Sequence, residues 1–413
     1  MSLELFDRKI APVYNQLIIE ATDAYLAPPA PRVMKKEDRA IWRAEHPIPD
    51  TASMSDAEFL YYSLEASRQP LNPITLAREA FKENNFTNVD EMSDLDISHA
   101  LREEYLRVEA LYKEHGINPE PLKIAWEIIH KTEAYIAGYS RQIDRLAVRL
   151  KNYTPQNAPR PYNGLDRWHN GLWVPDEDMH DRIETFILLS TGIIDQEDFY
   201  HDHSRHMKIG NHVDTSDFMG SNAFVALQED ATVITYENAA RIYGPILGRI
   251  IHEIAKNEAH HKRAYKQIHL GLTREFPDEA VLTTLKVSDE FDMPGREGIE
   301  DYDNKAIAMG FIGLLDAEAT LKSQQRLISA MNLGNLTLKT EKAKRARDAL
   351  LEGKNVGQRK LKIFAGKLKR AREQALEQAN KSDLSVPLIV GVTVASPIDE
   401  SGLGDLEFLG IAA

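Results

Sequence analysis

The sequence predicts an all-α protein built on a four-helix bundle with additional helices. Two observations predict it. From about residue 76 to 333 apolar residues recur at three-to-four spacing, the period of an amphipathic helix. Within that stretch lone glutamates and Glu-x-x-His pairs alternate: Glu133, Glu177-Asp-Met-His180, Glu229, Glu258-Ala-His-His261. Residues three apart share a helix face, so each pair aims a carboxylate and an imidazole at one point.

The elements follow in chain order. Residues 1–26 have the pattern of an amphipathic helix. Residues 27–75 carry Pro28-Pro-Ala-Pro and Pro47-Ile-Pro and are expected to be irregular, with short helical pieces. Ile124–Leu150 keeps its apolar spacing and predicts a long helix. Pro175–Ser190 opens with proline and acids, as helix N-termini do. Ser216–Tyr243 forms the next helix, with Ser216 as its expected N-cap and Gly244-Pro245 as its stop. Helices are then expected over Ile246–Leu272, Asp278–Glu290 and Tyr302–Met331.

Four regions result: an N-terminal irregular and helical extension (1–75), the helical bundle (76–335), a basic helical segment packed on it (336–381) and a tail (382–413). Between Lys339 and Lys381 there are 14 basic and 5 acidic residues, a net of +9, which leaves −23 on the rest of the chain. The tail holds one β-branched run, Val386-Pro-Leu-Ile-Val-Gly-Val-Thr-Val, with the pattern of a strand or extended segment.

Composition narrows the chemistry. The chain has 413 residues, 43% of them hydrophobic, enough for a large core. A net charge of −14 argues against nucleic-acid binding. The absence of cysteine excludes disulfides, thiolate nucleophiles and cysteine-ligated clusters. The longest apolar runs, Ala306–Leu315 and Val386–Ala395, reach about half of the ~20 residues a membrane span requires. The first residues lack a secretory pattern. A cytoplasmic location is expected, or a plastid-like soluble compartment after loss of a transit peptide. No internal repeat, Gly-x-Gly-x-x-Gly, P-loop or Gly-x-Ser-x-Gly occurs.

One Glu-x-x-His alone is the pattern of a solvated surface pair, and Glu127-Ile-Ile-His130 shows it too. The full alternation is different. Successive glutamates lie 44, 52 and 29 residues apart, each interval long enough for a helix and a return. Glu229 sits on an apolar stripe between Phe224-Val-Ala-Leu-Gln and Ala231-Thr-Val-Ile, where a carboxylate needs a partner. Four carboxylates with two imidazoles suit iron or manganese better than copper or zinc. The arrangement matches the ferritin-like di-iron carboxylate class. Buried arginine partners are the alternative. His201, His203 and His206 form either an adventitious metal site or a polar turn, and His260 points away from His261.

Longer blocks resemble the soluble acyl-acyl-carrier-protein desaturases. The blocks are Trp173-Val-Pro-Asp-Glu-Asp-Met-His180, Ile187-Leu-Leu-Ser-Thr-Gly192, Gln228-Glu-Asp-Ala-Thr232 and Ile254-Ala-Lys-Asn-Glu-Ala-His-His-Lys-Arg-Ala-Tyr265. Thr132-Glu-Ala-Tyr-Ile-Ala-Gly-Tyr139 matches an earlier block and favours Glu133 over Glu127. The resemblance covers about 125–335, and the basic segment after 338 also resembles the family.

The resemblance implies two iron ions held by Glu133, Glu177, His180, Glu229, Glu258 and His261. It implies O2-dependent insertion of a cis double bond into a saturated acyl chain on acyl carrier protein, with two electrons from an external ferredoxin-type donor. It also implies a homodimer. Thr232 would lie beside the metals to handle oxygen or protons, unless its hydroxyl bonds its own helix. Trp173 and Asn257 fall where the family orients a histidine and relays electrons. The family usually has aspartate at the second position, and an amide there carries no charge. Trp173 as plain core packing is the alternative. Lys342, Lys344, Arg345 and Arg347 are the candidate surface for the acidic carrier protein, or else a solvated basic helix. Another di-iron oxygenase, acting as hydroxylase or N-oxygenase, and a non-catalytic iron-binding bundle share the same ligand pattern.

Overall fold

The computed structural model describes residues 3–27, 36–66, 72–114, 118–134, 143, 145–150, 164–200, 217–291, 293, 296 and 299–381. The fold is all-α, and no strand occurs among the described residues. Four helices make the ferritin-like core: α6 (Glu120–Ala134), α8 (Val174–Thr191), α9 (Phe218–Ile242) and α10 (Pro245–Glu275). Before them come α1 (Leu3–Leu26), α2 (Lys36–Glu45), α3 (Asp56–Ala66), α4 (Pro73–Glu83) and α5 (Asp94–Glu114). The short α7 (Gly164–Trp168) leads into α8. After the core come α11 (Pro277–Glu290), α12 (Tyr302–Phe311), α13 (Ala317–Ala330), α14 (Glu341–Leu351) and α15 (Val356–Lys381).

Local chemistry sets the core helices. α8 opens on Pro175 and two first-turn acids, which suit the positive end of the helix dipole, and it stops at Gly192 with φ 68°. Asp217 caps α9 by accepting from Gly220 N at 2.6 Å. The expected cap, Ser216, lies outside the described residues. Between α9 and α10 the chain turns at Gly244, whose φ of 92° favours glycine. α10 is capped from a neighbour: the buried Glu104 of α5 accepts from Ile246 N at 2.9 Å and Leu247 N at 2.7 Å.

α9 and α10 pack along their length, α8 packs on α6 and α10, and α1 packs on α10. α1 comes close because Gly271 has no side chain; a Cβ there would meet Leu17 Cδ2 at 2.3 Å. The expected helix over 302–331 is two helices. Gly313, at φ 83°, breaks it, and Asp316 starts the second by accepting from Glu318 N and Ala319 N. α6 ends its described part at Ala134, and residues 145–150 are helical. The expected strand in the tail and His201, His203 and His206 lie outside the described residues.

Two apolar clusters flank one polar layer. One holds Trp126, Ile183, Ile187, Tyr236, Ile250 and Ile254; the other holds Trp168, Trp173, Val225, Ala226, Tyr265 and Ile268. Burying one such side chain stabilises the fold by about 1.5–3 kcal/mol. Along α9 Glu229 falls between Ala226 of one cluster and Tyr236 of the other, and along α10 Glu258 falls between Ile254 and Ala264.

Candidate metal centre

Each core helix delivers its polar residues to the same layer. α6 brings Glu133, α8 brings Glu177 and His180, α9 brings Glu229, and α10 brings Glu258 and His261. All six are buried, with Glu229, His180 and His261 at 0% exposure. They form two overlapping quartets, Glu133–Glu177–His180–Glu258 and Glu177–Glu229–Glu258–His261, each with ligand atoms within 4.8 Å of one another. Glu177 and Glu258 belong to both. The layer therefore reads as two positions, each with its own glutamate and histidine, joined by two shared carboxylates.

Both imidazoles turn Nδ1 inward. His180 Nδ1 lies 3.1 Å from Glu177 and 3.2 Å from Glu258. His261 Nδ1 lies 3.1 Å from Glu177, 3.6 Å from Glu258 and 3.8 Å from Glu229. Among the described residues Glu177 Oε1, Glu229 Oε2, Glu258 Oε2 and His261 Nδ1 find no hydrogen-bond partner despite full burial. Four carboxylates and two imidazoles converge there with too few donors to satisfy them, and a cation would do so. The hard oxygen donors with two imidazoles fit iron or manganese.

Electrostatics agree. Burial and the charges of Glu177 and Glu258 push the Glu133 carboxyl well up, and burial with Glu258 does the same to Glu229. Burial opposes charge on His180, but Glu177 and Glu258 outweigh it and raise its pKa to about 10. His261 rises for the same reason, against burial, through Asp176 and Glu177. Without a cation the layer holds protons in its place.

Other side chains brace the layer. The Trp173 indole N–H donates to Glu229 Oε1 at 3.1 Å. Trp173 ends a π-helical turn, His169–Trp173, that joins α7 to α8. Asp176 Oδ2 accepts from His261 Nε2 at 3.2 Å and from the hydroxyl of Tyr25 on α1. The Tyr236 hydroxyl sits between Glu133, at 2.6 Å, and Glu184. It has one proton for two carboxylates, and burial pushes the Glu184 carboxyl well up. Asp176, Tyr25, Tyr236 and Glu184 were not singled out from the sequence. Asp176 had a signal, since it directly precedes Glu177. Tyr25 had none, being 151 residues from Asp176.

Glu127 pairs with Lys131 at 2.7 Å and Lys305 at 3.0 Å, and His130 with Asp181 at 3.2 Å, away from the quartets. Thr232 is buried and its hydroxyl donates to Gln228 O at 2.8 Å, within its own helix. Asn257 is buried, and its Nδ2 has no hydrogen-bond partner among the described residues. Lys342 and Arg345 are exposed, while Lys344 pairs with Glu341 and Arg347 with Asp348. Among the described residues no helix is long and apolar enough to cross a membrane.

No curated protein matches the chain. The family model described as fatty acid desaturase matches residues 132–383, more than half of the chain and the span that carries all six clustered residues. The chain therefore belongs to the fatty acid desaturase family.

Proposed function

We propose that the protein is an O2-dependent desaturase that places a cis double bond in a saturated fatty acyl chain carried on acyl carrier protein. The observation that carries this is the pair of buried quartets sharing Glu177 and Glu258. Two iron ions fit them, held by Glu133 and His180 on one side and by Glu229 and His261 on the other. Iron bound there would supply the O2 activation that acid–base side chains cannot, and with it the removal of two neighbouring hydrogens.

The chain's own residues do the rest. Trp173 fixes the Glu229 carboxylate and Asp176 fixes the His261 ring. The flanking apolar clusters keep water from the layer. Tyr236 and Glu184 hold a proton next to Glu133. Electrons come from an external ferredoxin-type donor, because the sequence has no dinucleotide motif and no cysteine for a cluster. A homodimer in the cytoplasm or a plastid-like compartment completes the proposal.

Mass spectrometry of products tests it. Iron-loaded protein given a reductase, ferredoxin, O2 and saturated acyl carrier protein thioesters is expected to yield products two mass units lighter. Turnover of free acids or amines instead, or a hydroxylated product, would contradict it.

A further inference from the structure

The N-terminal helix α1 lies outside residues 132–383, yet it reaches the metal layer. Tyr25, near its end, is 8% exposed and donates its hydroxyl to Asp176 Oδ2. The same oxygen accepts from His261 Nε2 at 3.2 Å. The Tyr25 ring lies parallel to that of His261, 16° apart with centroids at 6.3 Å, and Trp168 holds its edge at 5.3 Å. This chain of bonds fixes the tautomer of His261. With one proton held on Nε2, Nδ1 is the nitrogen that faces Glu177, Glu229 and Glu258 and can give its lone pair to a cation.

His180 has no such support. Its Nε2 is buried with no hydrogen-bond partner among the described residues. Asp176 directly precedes the glutamate of the first Glu-x-x-His; the residue directly before the second is Asn257, whose Nδ2 is likewise unpartnered. The two halves of the layer are thus unequal. One histidine is backed by a carboxylate and a tyrosine, and the other is not.

We propose that Tyr25 and Asp176 are positioning residues that make the two metal positions unequal, so that the His261 side fills first and binds more tightly. This rests on the proposed metal pair. Loss of a histidine's outer hydrogen-bond partner typically costs about 10–100-fold in metal affinity. Both positions share Glu177 and Glu258, and each one's own glutamate accepts from a buried donor, Glu133 from Tyr236 and Glu229 from Trp173, so the difference comes from the histidines and what stands behind them.

Anaerobic titration of the metal-free full-length protein with Co(II) tests this, followed by calorimetry and by the visible absorption of the bound ion. The wild type is expected to show two classes of site at least about tenfold apart. Asp176→Asn should weaken the tight class by about 10–100-fold and leave the weak class in place, and Asp176→Glu should restore part of the loss. Tyr25→Phe should act in the same direction and less strongly, with helical content and melting temperature confirming that each variant is folded. Two equal classes in the wild type, a tight class unmoved by Asp176→Asn, or both classes weakened alike would overturn the inference. Wild type that binds no cobalt at all would overturn the metal pair itself.

Discussion

The Trp173 indole donates to Glu229 Oε1 across a gap of 56 residues, so the turn that leads into α8 is tied to α9 at the carboxylate–histidine layer by a buried hydrogen bond. Trp173→Phe keeps a large ring in the apolar cluster but removes the donor. The variant is expected to lose about 1–2 kcal/mol of stability, because a buried carboxylate oxygen loses its partner. It is also expected to hold metal less tightly, because Glu229 is freer to turn. Denaturant unfolding and a metal titration measure the two effects separately.

The protonation of the layer gives a pH dependence. In the metal-free protein, Glu177 and Glu258 raise the folded pKa of His180 from 6.5 to about 10 against the effect of burial. The stability this contributes is complete below pH 6.5 and is lost as pH rises toward 10. Glu133 and Glu229, raised by burial and by neighbouring carboxylates, act in the same direction, since the folded state binds more protons than the unfolded. The melting temperature of metal-free protein should therefore fall from pH 6.5 upward. Metal-loaded protein should show a flatter profile, with protons released on loading. Thermal scans across that range with and without metal check the sign.

The basic surface of α14 offers a docking test. Lys342 and Arg345 are exposed, and Lys344 and Arg347 are partly exposed, in a chain of net charge −14. Reversing the charge of Lys344, Arg345 and Arg347 together should weaken binding of the acidic carrier protein at low salt by about tenfold or more and flatten its salt dependence. Equal affinity and equal salt dependence in the variant would remove α14 as the docking surface.

Much of the molecule was legible in the sequence, for definite reasons. The all-α class and the core helices followed from an apolar period that tertiary packing reinforced. The alternating Glu and Glu-x-x-His pattern named six residues that the fold gathers in one layer. Other features were illegible because they depend on contacts distant in sequence. Tyr25 meets Asp176, and Glu104 caps α10, only once the helices have packed. The break at Gly313 was hidden because Ala306–Leu315 is apolar throughout, and apolarity alone does not mark a positive φ. The π-helical turn that ends at Trp173 carries no sequence signature beyond its aromatic residues.

The most direct test of the metal centre is elemental analysis of purified protein reconstituted with iron under anaerobic conditions. Close to two iron atoms per chain are expected in the wild type. A sharp loss is expected in Glu258→Ala, whose carboxylate belongs to both quartets, and no loss in Glu127→Ala, whose Glu-x-x-His pair lies elsewhere. Less than one iron per chain in the wild type, or full iron content in Glu258→Ala, would contradict a metal pair held by these quartets.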